Sequence, residues 1–151
     1  MYSMWLTAEQ QQIWRGYLAA VSRLQIAMHR QLQRDCDLSL SDYDVLVALS
    51  ERGSQRINEL GDFLAWEQSR LSHQLRRMRS RGLVSRNGSN DDRRGATVEL
   101  TDAGLAALTA AAPGHAELVR SIVFDGLTAA QQQAFASTIE SMLGRLTSRT
   151  R

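Results

Sequence analysis

Apolar positions recur at helical spacing over most of this chain and switch to alternation in one short stretch. Trp14, Tyr17, Val21, Leu24 and Met28 form one face of a long helix, with Ile13, Ala20 and Ala27 as a second strip. Thr7-x-x-Gln10 is a capping box that opens this helix, and the pattern fades near Arg34, giving a rod of about 40 Å. Two apolar strips require two partners. A second helix is expected in "LSLSDYDVLVALSERG", with Ser41 as its cap, Asp44 at the third helical position, Leu40 and Val45 as a hydrophobic staple, and Gly53 at its end. "INELGDFLA" predicts a short third helix with Ile57, Leu60, Phe63 and Leu64 on one side, softened by Gly61 and ended by a tight break at Ala65-Trp66.

The fourth helix, "EQSRLSHQLRRMRSRGLV", has a narrow apolar stripe of Leu71, Leu75 and Met78, and Gly82 ends it. Gln68, Ser69, Arg70, Ser72, His73, Arg76, Arg77 and Arg79 cover the rest. "LVSRN" and "ATVEL" then alternate as two short strands around the tip "GSNDDRRG". Thr101 caps a fifth helix in which Pro113-Gly114 predicts a kink or break. Thr128 and Gln131 form a capping box for a last helix striped by Phe135, Ile139, Met142, Leu143 and Leu146.

Charge changes the picture. The net charge of the 151 residues is only +2, yet Glu67 to Arg94 carries eight arginines against three acids, about +5, leaving about −3 elsewhere. One segment therefore holds the positive field expected of a nucleic-acid face. Short helix, tight turn, basic amphipathic helix and charged hairpin follow in the order of a winged helix-turn-helix. There the second helix of the pair enters the major groove and shows its N-terminal residues to base edges. Gln68, Ser69, Arg70 and His73 come first on that face, then Ser72, Arg76 and Arg77; Gln, Ser and Arg are side chains with known base-edge partners.

The stretch "DDRRGATVELTDAG" carries the wing signature of the MarR family of bacterial transcriptional regulators: Asp92, Arg94, Leu100, Thr101 and Gly104. "SRLSHQLRRMRSRGLVSR" and "LSLSDYDVLVALSERG" resemble that family's recognition helix and the helix before it, and the resemblance spans roughly residues 10 to 148. It implies a mainly α fold with a small β-hairpin wing. Residues 37–101 would form the winged helix-turn-helix, and residues 1–36 and 102–151 a helical dimerisation region. It also implies a homodimer on a pseudo-palindromic double-stranded operator, usually acting as a repressor released by a small aromatic or phenolic ligand. The apolar stripes of the first, fifth and last helices, in excess of what a winged domain needs, support dimerisation independently. Arg94 is expected in the minor groove, Arg93 on phosphate, and Asp92 turned inward to orient the wing, on Arg94 or on a recognition-helix arginine such as Arg77. Trp14, Tyr17, Tyr43 and His115 are the candidate ligand-binding residues.

Other chemistries fit less well. A lone cysteine, Cys36, excludes an internal disulfide. It opens a redox-sensing alternative, disfavoured by Asp35 and Asp37 beside it. Ser69 and His73 lack an orienting carboxylate and stand among arginines, so a catalytic dyad is not expected. His29, His73 and His115 occupy separate helices without metal-ligand spacing, and neither metal nor cofactor is expected. No apolar run is long enough to cross a bilayer and the N-terminal segment lacks signal-peptide character, so cytoplasmic residence without membrane contact is the expectation. A helical dimer with no DNA function is the remaining alternative.

Overall fold

The computed structural model describes residues 5–88 and 95–150. Among the described residues six helices and three short strands follow one another: α1 (Ala8–Cys36), α2 (Leu40–Arg52), β1 (Gln55–Arg56), α3 (Ile57–Leu64), α4 (Gln68–Ser80), β2 (Val84–Asn87), β3 (Thr97–Leu100), α5 (Asp102–Val119) and α6 (Ala129–Arg149), with a π-helical turn over Arg120–Phe124 between the last two. The chain divides into two compact units, residues 1–115 and 116–151.

Local chemistry sets most element ends. Thr7 and Gln10 make the expected reciprocal capping box, and so do Thr128 and Gln131. The cap of α2 differs from expectation. Ser39, not Ser41, is the N-cap, and Asp42, not Asp44, returns the bond to it at 2.9 Å. Both Ser-x-x-Asp pairs fit the pattern, but only the Asp42 carboxylate also meets Gln74 and Arg81, so tertiary partners choose between two equivalent local signals. Asp37 between α1 and α2, and Ala65 after α3, take left-handed backbone at φ 53° and 56°. The second is the tight break expected at Ala65-Trp66.

α4 turns Leu71, Leu75 and Met78 onto a core that includes Leu32, Leu38, Val45, Leu46, Leu49 and Leu60. The sheet has the order β1-β3-β2, all antiparallel, with Gln55 opposite Val98 and Arg86 opposite Val98 on the other side. The two-residue strand β1 is too short for any alternation to announce it. Thr101 caps α5 as expected, accepting from Gly104 N at 3.0 Å, and its own N–H bonds to Leu83 O. A side chain at Gly104 would run into the Leu83 carbonyl, so this glycine lets the start of α5 close on the α4–β2 connection.

Of the kink or break expected at Pro113-Gly114, the break is absent: α5 runs on through Pro113. Proline removes one helix hydrogen bond, but the helix is held on either side of it. Ala111 is fully buried, Gly114 lies directly against Gln31 of α1, and the His115 ring packs on Tyr43. The irregularity comes about two turns later, where Asp125 N bonds to Arg120 O across five residues. In the second unit every residue of α6 is exposed, including Phe135, Leu143 and Leu146. No described helix is long and apolar enough to cross a membrane.

Candidate nucleic-acid interface

The α3–turn–α4 pair places the exposed face of α4 outward. Gln68, Ser69, Arg70, His73, Arg76 and Arg77 are all exposed, and Ser72 is half-buried. Glu67 caps α4 without a side-chain bond, so the helix begins with amide N–H groups that no cap satisfies, at the positive end of its dipole.

Arg70 is held rather than loose. Its guanidinium lies 4.1 Å from the ring centroid of Trp66, and its charge draws the nearby Asp44 carboxyl back towards ionisation, against a larger upward push from burial. Arg77 donates from Nη2 to Gln74 Oε1 at 2.7 Å. Ser72, Arg76 and Arg79 line a cavity of about 80 Å³ together with Arg86 of β2, over a floor that includes Leu75 and Val98. The buried Nε of Arg86 has no hydrogen-bond partner among the described residues. Among the described residues the lining holds three arginines and no acid, a composition suited to an anion.

Asp92, Arg93 and Arg94 lie outside the described residues. The base of their hairpin is firmly built. Asn87 Nδ2 donates to Glu99 Oε1 at 3.0 Å, and Gly88 has φ 112°, a left-handed conformation that favours glycine, with a Cβ there fitting tightly at 3.1 Å from the Ala96 backbone.

The four ligand candidates do not form one pocket within the chain. Tyr43 and His115 are in ring contact at 4.3 Å, and Trp14 and Tyr17 stack on each other at 5.7 Å. Tyr17 precedes Gln31, the residue packed against Gly114, by fourteen positions, about 21 Å along α1. At the α1–α5 crossing two buried polar atoms lack partners, Gln31 Oε1 and His115 Nδ1. Burial pushes the His115 imidazole below its ordinary value, while burial first, then the charges of Asp44 and Glu51, pushes the Tyr43 phenol up.

Cys36 is half-buried against the edge of the core. His29 is taken up structurally, its Nδ1 accepting from Leu40 N. Among the described residues no group of three or more His, Cys, Asp or Glu is placed to hold a metal.

Sequence reasoning missed Trp66, Arg79, Arg86, Asp42 and Gln74. One signal was available. Gln74 stands three positions after Leu71 and four before Met78, on the buried face, and a polar residue in an apolar stripe implies a buried partner.

A model of the MarR family matches residues 38–95. The chain is similar to AbsC, a MarR family transcriptional regulator from Streptomyces coelicolor, with 32% identity, a TM-score of 0.88, and coverage of 97% of this chain and 99% of that one. It is similar to Sco3205, a MarR family transcriptional regulator of the same organism solved in complex with DNA, with 39% identity, a TM-score of 0.86, and coverage of 94% and 90%. A third likeness is to Bordetella bronchiseptica BpsR, whose DNA binding is regulated by 6-hydroxynicotinic acid, with 25% identity, a TM-score of 0.76, and coverage of 87% and 98%. The helix-turn-helix-type transcriptional regulator YfiV of Bacillus subtilis (strain 168) is 25% identical over 97 residues, which are 64% of this chain; the match spans 60% of that protein's length.

Proposed function

The chain belongs to the MarR family of DNA-binding transcriptional regulators, and from that premise we propose that it acts as a homodimer on a pseudo-palindromic operator, as a repressor released by a small aromatic or phenolic ligand. The observation that carries this reading is α4. A narrow stripe of Leu71, Leu75 and Met78 fixes the helix to the core, and its whole opposite face is polar, basic and exposed.

Gln68, Ser69, Arg70 and His73 at the start of the helix read base edges in the major groove. Ser72, Arg76 and Arg77, joined by Arg79 and Arg86 at the wing base, meet phosphates. Arg94 enters the minor groove, Arg93 touches phosphate and Asp92 orients the tip. Trp66 supports Arg70 by stacking, which pre-organises the guanidinium for a bidentate contact.

Dimerisation is supported by apolar residues left in water along α1 and α6. Ile13 is 65% exposed, Leu143 58% and Leu146 61%. A single chain would not keep so many large apolar side chains wet on each of these helices, and a two-fold partner covers them. The effector has its best support where Gln31 Oε1 and His115 Nδ1 lack partners beside Tyr43. An aromatic acid or phenol supplies a ring for Tyr43 and His115 and a hydroxyl for the orphaned acceptor. Trp14 and Tyr17 serve the dimer face better than this pocket.

The test is Arg70→Ala in competition gel shifts on the DNA upstream of the protein's own gene. We expect a loss of roughly 1–3 kcal/mol on specific DNA, with relaxed preference at one position per half-site and little change on random duplex. Equal weakening on both DNAs would make Arg70 a phosphate contact and defeat its assigned role.

A further inference from the structure

Arg77 is tied to the scaffold by a chain of hydrogen bonds with a buried amide–carboxylate bond at its centre. Gln74, whose Oε1 holds Arg77, is only 3% exposed, and its Nε2 donates to Asp42 Oδ1 at 2.5 Å. Asp42 is 6% exposed; its Oδ2 accepts from Ser39 N at 2.9 Å and from Arg81 Nη1 at 3.1 Å. Arg81 Nη2 donates in turn to the carbonyl of Asp37, in the left-handed residue between α1 and α2. The series runs from the backbone at the head of α2, through a carboxylate and an amide, to a guanidinium on the exposed face of α4.

Packing does not require this arrangement. A leucine or methionine at position 74 would extend the stripe of Leu71, Leu75 and Met78. A buried amide is costly unless both its ends are bonded. Here one end is bonded to a carboxylate fixed by a helix cap, and the other to a cation that reaches solvent. The Asp42 charge also polarises the amide, which makes its oxygen a stronger acceptor for Arg77.

We infer that Gln74, anchored on Asp42, is a positioning residue that presents Arg77 to the DNA backbone. The inference rests on the proposed reading of Arg77 as a DNA contact. Gln74 occupies one edge of the guanidinium and leaves its remaining N–H donors for a phosphate oxygen. An arginine already held in one rotamer gives up less freedom on binding than one that swings.

The test is a double-mutant cycle on operator affinity with Gln74→Met and Arg77→Ala. Methionine keeps the volume and apolar stripe and removes both amide bonds. Gln74→Met should weaken binding roughly five- to tenfold in the native background and less than about twofold once Arg77 is alanine. Equal losses in both backgrounds would overturn the inference while leaving Arg77 as a DNA contact. Undiminished binding by Arg77→Ala alone would overturn the proposed contact and the inference with it. A second readout needs no DNA. Nitrogen NMR relaxation of the Arg77 side chain should show it ordered in the native protein and mobile in Gln74→Met; equal mobility in both would contradict positioning. Gln74→Glu separates this role from stability. It retains an acceptor for Arg77 but sets a second carboxylate beside Asp42, so it should lower thermal stability yet preserve the coupling to Arg77. Lowered stability with no coupling would show a structural role alone.

Discussion

Removing the Asp92 carboxylate takes a negative charge off the wing proposed to meet DNA, so net charge alone predicts tighter binding. A carboxylate that orients the wing predicts the reverse. Asp92→Ala should weaken operator binding and leave the fold intact, as a titration by fluorescence anisotropy would show; tighter binding would reduce the wing to a charged turn. Titration also tests His115. Burial holds its folded value below the ordinary 6.5, so the unfolded chain takes up a proton first as pH falls. The stability contributed by the neutral, buried ring is complete above 6.5 and is lost as pH drops through 6.5 toward the depressed folded value. Urea midpoints measured at about pH 7.5 and 5.5 should therefore fall more for the native protein than for His115→Gln. Equal falls would place His115 in an environment no drier than water. The Asp44 carboxyl, raised by burial, has the opposite sign in the lower range above 3.8, where acid favours the folded state.

Elements show where local signals suffice and where they fail. Capping boxes at Thr7 and Thr128, the stripe of α4 and the hairpin strands were legible because each is decided within a few residues. The start of α2 was misplaced by two residues because Ser39 and Ser41 offer the same local chemistry, and the deciding partners come from α4. The uninterrupted α5 was misread for a related reason, since packing of Ala111, Gly114 and His115 on α1 and α2 outweighs the missing amide of Pro113. Two glycines put this reasoning to a test. Gly61→Ala meets its nearest neighbour, Leu71, at 3.4 Å, an ordinary contact, and gains helix propensity, so it should stabilise α3 by about 0.5 kcal/mol. Gly104→Ala drives a methyl into the Leu83 carbonyl and should cost about 2 kcal/mol or more. Thermal melts of the two variants shifting in the same direction would contradict the packing described around one of them.

At the scale of the whole molecule, the proposed function gives the exposed apolar residues of α1 and α6 and the basic face of α4 complementary roles. In the proposed homodimer each chain would offer one recognition helix, and a two-fold partner would supply the second at a fixed separation. A family model covering residues 38–95 reaches only the reading head; the likeness to AbsC extends over 97% of the chain and so includes the long terminal helices. An obligate interface of at least about 2,000 Å² would satisfy those stripes. What stayed illegible in the sequence is what depends on distant partners: the Asp42–Gln74–Arg77 relay, the cleft of Ser72, Arg76, Arg79 and Arg86, and the separation of Tyr17 from His115. The central claim, two-fold reading of specific DNA, is tested most directly by selecting bound sequences from random duplex DNA with the full-length protein. The account predicts an inverted pair of half-sites centred about one helical turn apart, roughly 10 base pairs. Enrichment of no sequence, or of a single half-site without its inverted mate, would contradict it.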